Sequence, residues 1–361
     1  MRGRGRAAML RAASPDPPGR ARVAGRMEME HMDRRAFLGW TGVAAGALAA
    51  PAVFTSDAQA APDTAAIERA LRGFRALPGD TGYMIRVGRP GTPWETSHRP
   101  TARMFAASAV KTFILTRFLK DVEDGRLKES TQYAVDDAIR SISSPVFENL
   151  TGKTPARSAL EAMIAHSDNT ATDIALKHVG AERVRAFVAK AGLTSVKIPT
   201  STRIVFSYLA GAPYGVDVGW EGMERIMQGN LFGAARSPMN NRETMKGSAA
   251  DFVTFYERAL AGRYFRTPEM LTEFRRISSM ATALWPVVPE NTPAYGKGGS
   301  IEWDGFNCFS LPGQMLLGGT IPATFSFTVN WTGKPATIPG VFADYVATIK
   351  DALGETARAF G

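Results

Sequence analysis

The period of apolar and polar positions changes along the chain. Residues 63–75 (DTAAIERALRGFR) fit an amphipathic helix, and residues 82–88 (GYMIRVG) alternate like a strand. From about residue 105 to 280 the spacing is mainly helical, in TFILTRFLKDVEDG, ARSALEAMIAHS, ATDIALKHVG and AERVRAFVAKAG. Several of these stretches end at Gly, as helices commonly do. From about residue 294 the strand pattern returns in YGKGGSIEW, GFNCFSL, QMLLGGT and TFSFTVNW. The closing VFADYVATIKDAL puts Phe342, Tyr345, Val346, Ile349 and Leu353 at helical spacing.

Strand material thus lies at both ends, with helices between. The simplest assembly is α+β: one antiparallel sheet built from both chain ends, flanked by the terminal helices, with an all-helical lobe inserted. The expected division is a sheet lobe of about 61–104 and 285–361 and a helical lobe of about 105–284. A site is expected in the crevice between them, where pockets commonly form.

Composition narrows the functional classes. The 361 residues are 45% apolar and 21% charged, the make-up of a globular chain. Nine of the 43 basic and five of the 34 acidic residues fall in residues 1–60, leaving a net charge of +5 on the rest. That balance is mild and scattered, so a nucleic-acid role is not expected. Cys308 is the single cysteine, so an intrachain disulfide is impossible, and its apolar setting indicates packing. The four histidines show no metal-ligand spacing, and neither a metal nor a cofactor is expected.

The leader also carries information. DRRAFLGW (33–40) precedes an uncharged, Gly- and Ala-rich run from Ala36 to Ser56, followed by a small-residue cleavage pattern at Ala58 and Ala60. Paired arginines before a weakly apolar stretch resemble a twin-arginine export signal. Pro51 and the weak hydrophobicity argue against a retained anchor. The mature chain is expected to begin near Ala61, to be periplasmic or secreted, and to lack stable membrane insertion. Residues 1–31 read as sequence upstream of the signal.

Chemistry enters with MFAASAVKTFIL. On an α-helix, three positions give about 300° of rotation, so Ser108 and Lys111 share a face. A serine hydroxyl is a weak nucleophile until a base takes its proton, and a lysine with a lowered pKa can serve. Alone, this pair also fits an ordinary polar pair at a helix end. Two further motifs change that reading. HSDNTATD holds Ser167, Asp168 and Asn169 between two helical stretches, and AYGKGGSI holds Lys297, Gly298, Gly299 and Ser300 at a strand start.

Ser-x-x-Lys, Ser-Asp-Asn and a Lys-x-Gly motif in this order resemble the class A β-lactamase family of serine hydrolases, related to penicillin-binding proteins. The resemblance covers nearly all of the chain after the leader. It implies that Ser108 attacks an acyl carbonyl, that Lys111 assists its deprotonation and that Ser167 relays a proton to the leaving nitrogen. Asn169 would hold Lys111 and a substrate amide, and Lys297 would add positive charge. The backbone amides of Ser108 and Ser300 would form an oxyanion hole. Gly299, with Gly298, would let substrate approach the strand. Asp168 is expected to fix the turn through local backbone amides. The implied function is exported serine acyl hydrolysis of small-molecule β-lactams or related amides and esters, by a monomer. The alternatives are a D-alanyl-D-alanine peptidase-like or esterase-like enzyme, and a protein that traps a β-lactam without turnover.

Two departures from the family pattern stand out. Gly298 occupies the place of a hydroxyl residue that helps grip the substrate carboxylate. Ser300 is a possible substitute, although its side chain should point to the other face of a regular strand. The family also carries a deacylating Glu on the loop after Ser-Asp-Asn. The corresponding stretch, 197–215, holds neither Asp nor Glu, and the nearest acids are Asp217, Glu221 and Glu224.

Overall fold

The computed structural model describes residues 63–88 and 93–361. The export signal expected within residues 1–60 and the cleavage point near Ala61 lie outside the described residues.

Helix α1 (Ala65–Arg75) buries Ile67, Leu71 and Phe74, spaced one turn apart, and leads into β1 (Asp80–Val87) and β2 (Trp94–His98). Then follow β3 (Met104–Phe105), a 3₁₀ turn (Ala107–Val110) and α2 (Lys111–Glu123). The middle of the chain continues with β4 (Gln132–Val135), β5 (Gly152–Pro155), α3 (Ala156–Ala165), α4 (Asn169–Val179) and α5 (Ala181–Lys190). It ends with α6 (Thr202–Leu209), α7 (Gly219–Met227), β6 (Lys246–Gly247), α8 (Ala249–Leu260) and α9 (Pro268–Ser278). The last part is β7 (Ala294–Gly296), β8 (Gly299–Trp303), β9 (Phe306–Leu317), β10 (Ile321–Thr332) and α10 (Ile338–Phe360).

The main sheet has the order β2-β1-β10-β9-β7, with β8 also pairing β9, and every pair is antiparallel. β1 aligns Asp80 with Asn330 and Val87 with Ala323, so both chain ends build one sheet. This is the α+β architecture expected from the pattern of periods. The helical region also carries two small ladders, β3 with β6 and β4 with β5.

One difference concerns GFNCFSL and QMLLGGT, which read as separate strand patterns but form the single strand β9 through Pro312. A strand residue points its N–H and C=O to the same neighbour. The Pro312 carbonyl accepts from Lys297 N, so its missing N–H faces the break between β7 and β8. Proline is tolerated in this inner strand because the ladder is already interrupted there.

Aromatic packing closes both faces of the sheet. On one, Phe74 meets Tyr83 and Phe327 at 5.8 and 5.2 Å, and Phe309 meets Phe342 and Tyr345 at 5.2 and 5.5 Å. On the other, α8 lies between the sheet and α2, with Phe252 and Phe255 at 5.5 and 4.7 Å from Phe113. Helix α2 is buried over most of its surface, including Lys111, Thr112 and Asp121. A helix enclosed in this way is a core element, and the 3₁₀ turn at its start is held from several sides.

Candidate active site

The chain enters the 3₁₀ turn through Phe105, whose N–H donates to Asn330 Oδ1 at 2.8 Å. The Phe105 carbonyl accepts from Asn330 Nδ2 at 3.0 Å and from Cys308 Sγ at 3.1 Å. Ala107 follows with φ +47°, a left-handed conformation that disfavours a side chain by on the order of 1 kcal/mol. Ser108 therefore sits in a strained turn before α2, not in the first turn of an α-helix. At three residues per turn, positions i and i+3 eclipse, so Ser108 and Lys111 lie on one line. Ser108 is partly exposed, while Ala107, Ala109, Val110 and Lys111 are buried.

Lys111 Nζ donates to the Ser167 carbonyl at 2.6 Å and Asn169 Oδ1 at 2.7 Å, with Ser167 Oγ at 3.4 Å. Burial lowers the Lys111 pKa to about 7, against the opposing pull of Asp168 and Asp173. Ser167 has φ +59° and Ser143 φ +57°, so three strained non-glycine residues surround the cluster when Ala107 is included. Asn169 N donates to the Ser143 carbonyl and its Nδ2 to the Ile142 carbonyl, fixing the Oδ1 that faces the lysine. Asp168 faces the other way. Its Oδ1 caps α4 through Ala171 N, and its Oδ2 accepts from Val146 N and Phe147 N.

Lys297 occupies the gap between β7 and β8. It is 2% exposed, and its Nζ donates to the Gly298 carbonyl at 2.6 Å. Burial and the nearby Lys111 charge push its pKa well below the ordinary lysine value. The two glycines after it meet protein atoms, which revises the expectation that they clear space for substrate. A Cβ on Gly298 would stand 2.4 Å from Ala283 Cβ. A Cβ on Gly299 would stand 2.3 Å from the Ala106 carbonyl oxygen and 2.8 Å from Ser108 N. These glycines let β8 lie against the 3₁₀ turn and the 282–284 turn. Ser300 is opposite Phe309, and directly opposed residues share a face. Phe309 packs on Phe342 and Tyr345 of α10, so the Ser300 hydroxyl points away from the Ser108 turn. The register of β7 and β8 against β9 is continuous, so position 298 lies on this same face, which corrects the expectation that Ser300 points to the face opposite it.

The 197–215 stretch approaches the cluster through α6. Ser201 caps that helix by accepting from Ile204 N. Thr202 N and Arg203 N donate to Asp173 Oδ1 and Oδ2 at 2.6 and 3.0 Å. Asp173 is buried, and desolvation raises its pKa to about 6. The sequence reading missed this residue. Its signal was the four-residue spacing from Asn169, which places both on one face of α4. Asp217 pairs with the buried Arg203 guanidinium, and Glu221 and Glu224 are exposed on α7.

A hollow of about 480 Å³ bordered by Leu127, Tyr133 and His178 shares no residue with this cluster. Among the described residues, no helix is long and apolar enough to cross a membrane.

Comparisons with known proteins converge on one family. The sequence model of the beta-lactamase enzyme family matches residues 65–294, a segment that includes Ser108, Lys111, Ser167 and Asn169 and ends before Lys297. A beta-lactamase from Streptomyces fradiae is 35% identical over 158 residues, covering 41% of this chain and 49% of that protein. The matched region thus spans about half of that curated relative. Among solved structures, a beta-lactamase from Sphaerobacter thermophilus aligns with TM-score 0.61 at 16% identity, over 82% of this chain and 97% of its own. The structure of PBP-A aligns with TM-score 0.59 at 15% identity, over 82% and 97% of the two chains. At these identities the structural likeness is one of fold.

Proposed function

Because the chain belongs to the beta-lactamase enzyme family, we propose that it is an exported serine acyl hydrolase working through an acyl-Ser108 intermediate, with residues 61–361 as the working unit. The observation that carries this reading is the Lys111 amine, buried in line with Ser108 and held between Ser167 and Asn169. With a pKa near 7, a fraction of this amine is neutral at physiological pH and can accept a proton.

In the proposed reaction, Lys111 takes the Ser108 hydroxyl proton as Oγ adds to the acyl carbonyl. The amides of Ser108 and Ser300 face the developing oxyanion. Lys111 and Ser167 return the proton to the leaving nitrogen or oxygen as its bond to the carbonyl carbon breaks. Asn169 keeps Lys111 aligned and offers an amide to substrate, while Lys297 shapes the opposite wall. Water then attacks the ester, and Ser108 recovers its proton.

The deacylation half supports a second reading, a D-alanyl-D-alanine peptidase-like enzyme or a penicillin-binding protein with slow turnover. The 197–215 stretch supplies no carboxylate. Both oxygens of Asp168 and of Asp173 already accept backbone amides.

Mass labelling by a reactive β-lactam tests the nucleophile. Ser108→Ala should abolish the adduct, with a loss of ~10⁴-fold or more in any turnover. An equal adduct on the alanine variant would remove Ser108 from the mechanism. Export is tested separately. Arg34→Lys with Arg35→Lys should block delivery to the periplasm or medium, and unchanged delivery would exclude the twin-arginine route.

A further inference from the structure

Positive charge gathers on the small β3–β6 ladder, away from the cluster described above. Lys246 stands directly opposite Phe105 in that ladder. On its other side it stands opposite Lys197, whose N–H donates to the Lys246 carbonyl at 3.0 Å. Directly opposed residues project to one face with their Cβ atoms about 5 Å apart, so Lys197 and Lys246 are neighbours. Arg103 enters β3 two residues before Phe105 and is anchored by an Nη2 hydrogen bond to the Thr194 carbonyl at 3.3 Å. Lys246 is 9% exposed, whereas Lys197 and Arg103 are open to solvent. Burial, and after it the charges of Lys197 and Arg103, lower the Lys246 pKa. Among the described residues, none of the three has a carboxylate partner, and the Lys246 amine has no hydrogen-bond acceptor. The acids near Lys246 in sequence are occupied elsewhere. Glu243 accepts from Thr200 N and Oγ1 at 2.9 and 2.8 Å, and Asp251 from Ser195 N and Oγ at 2.8 and 2.6 Å.

We propose that Arg103, Lys197 and Lys246 form a binding site for a phosphate group, carried by a phosphomonoester or present as the free ion. Like charges set opposite each other destabilise a ladder. A bound oxyanion with two negative charges turns that repulsion into attraction. The donors suit it, since a guanidinium forks onto two phosphate oxygens and the two ammonium groups add point charges. Lys246 is the central member. Its side chain is already ordered by burial, so little rotamer freedom is lost on binding. Among the described residues, none of the three bonds to Ser108, Lys111, Ser167 or Asn169, so the occupant is not the acyl substrate. The proposal stands whether or not Ser108 is the nucleophile. The site nevertheless adjoins the nucleophile turn, because Ala106 N donates to the Met245 carbonyl at 2.8 Å, next to Lys246. Occupancy braces the segment that leads into Ser108.

Isothermal titration calorimetry of the full mature chain with inorganic phosphate, and separately with methyl phosphate, tests this at pH 7.5. Sodium chloride holds the ionic strength constant, because exposed charges are screened by salt. Phosphate should bind at one site per chain. Equal binding of methyl phosphate supports a phosphomonoester as ligand, and binding of phosphate alone supports the free ion. Lys246→Met should weaken binding by at least about tenfold, the value of one charge-assisted hydrogen bond. Lys197→Gln, at an exposed position, should weaken it by about two- to fivefold. Melting curves give a second readout. Without phosphate, Lys197→Gln should melt no lower than the wild type, since it removes a like-charge contact, and it should gain less than the wild type when phosphate is added. If Lys246→Met does not fold, the double variant Arg103→Gln with Lys197→Gln decides, because both side chains are exposed. No phosphate binding by the wild type beyond the chloride control would overturn the proposal, and so would undiminished binding by the double variant.

Discussion

Lys111 is the residue on which the chemistry turns, and its titration is open to measurement. Burial places its pKa at about 7, and the competent form is the neutral amine. The acylation rate should therefore rise with pH through about 7 and then level. Asp173 raises the Lys111 pKa through its charge, so Asp173→Asn should move this limb to lower pH. A rate independent of pH between 5.5 and 8.5 would show that Lys111 is not the base. The same burial has a stability consequence. The folded amine releases its proton near pH 7 and the unfolded one near its ordinary value of about 10.4. Between these values the unfolded state binds more protons, so this residue's destabilising effect is full below pH 7 and fades as pH rises. Lys111→Met should raise the melting temperature more at pH 7 than at pH 9.5, as followed by circular dichroism. An equal gain at both would mean that the amine is not desolvated. Lys111 could be named from its spacing to Ser108. Its partners could not, because Ser167 and Asn169 reach it across 56 and 58 residues.

The decisive element is α6 with the chain around it. It brings hydroxyls and the Arg203 backbone to the cluster, and its amides take up the Asp173 carboxylate. Activation of a deacylating water by a carboxylate commonly contributes ~10²–10⁴-fold, and 197–215 supplies none. Stopped-flow assays with a reporter β-lactam should therefore show a burst equal to the enzyme concentration, then slow turnover. Rapid steady turnover without a burst would contradict this. Glu221 is one of the three acids that follow this stretch in sequence. Its exposed position on α7 assigns it to the surface. Glu221→Gln should leave both burst and adduct lifetime unchanged, and a longer-lived adduct would restore it as the base. The absence of acids from 197–215 was legible in the sequence. The occupancy of Asp173 was not, since it depends on how α4 meets α6.

At the scale of the whole molecule, the sheet and the nucleophile turn are joined by Asn330, whose carboxamide pairs both backbone groups of Phe105 across 225 residues. Asn330→Ala removes the partner of the buried Phe105 N–H and leaves the carbonyl with Cys308 Sγ alone, and a buried group left unsatisfied costs on the order of 1–3 kcal/mol. The variant should unfold at lower denaturant and acylate more slowly, because the turn carrying Ser108 loses its anchor. Unchanged stability together with unchanged acylation would show that Cys308 and the surrounding packing suffice. The sequence by itself determined the order of strands and helices, the α+β class and the three motifs. These follow from side-chain period and residue chemistry, which belong to short stretches of chain. Tertiary structure alone decided which partners hold Lys111, why Gly298 and Gly299 are glycines, which way Ser300 faces and what Asp173 binds. Each of these depends on contacts between segments far apart in the chain. Burial and hydrogen-bond geometry exist only once those segments have packed.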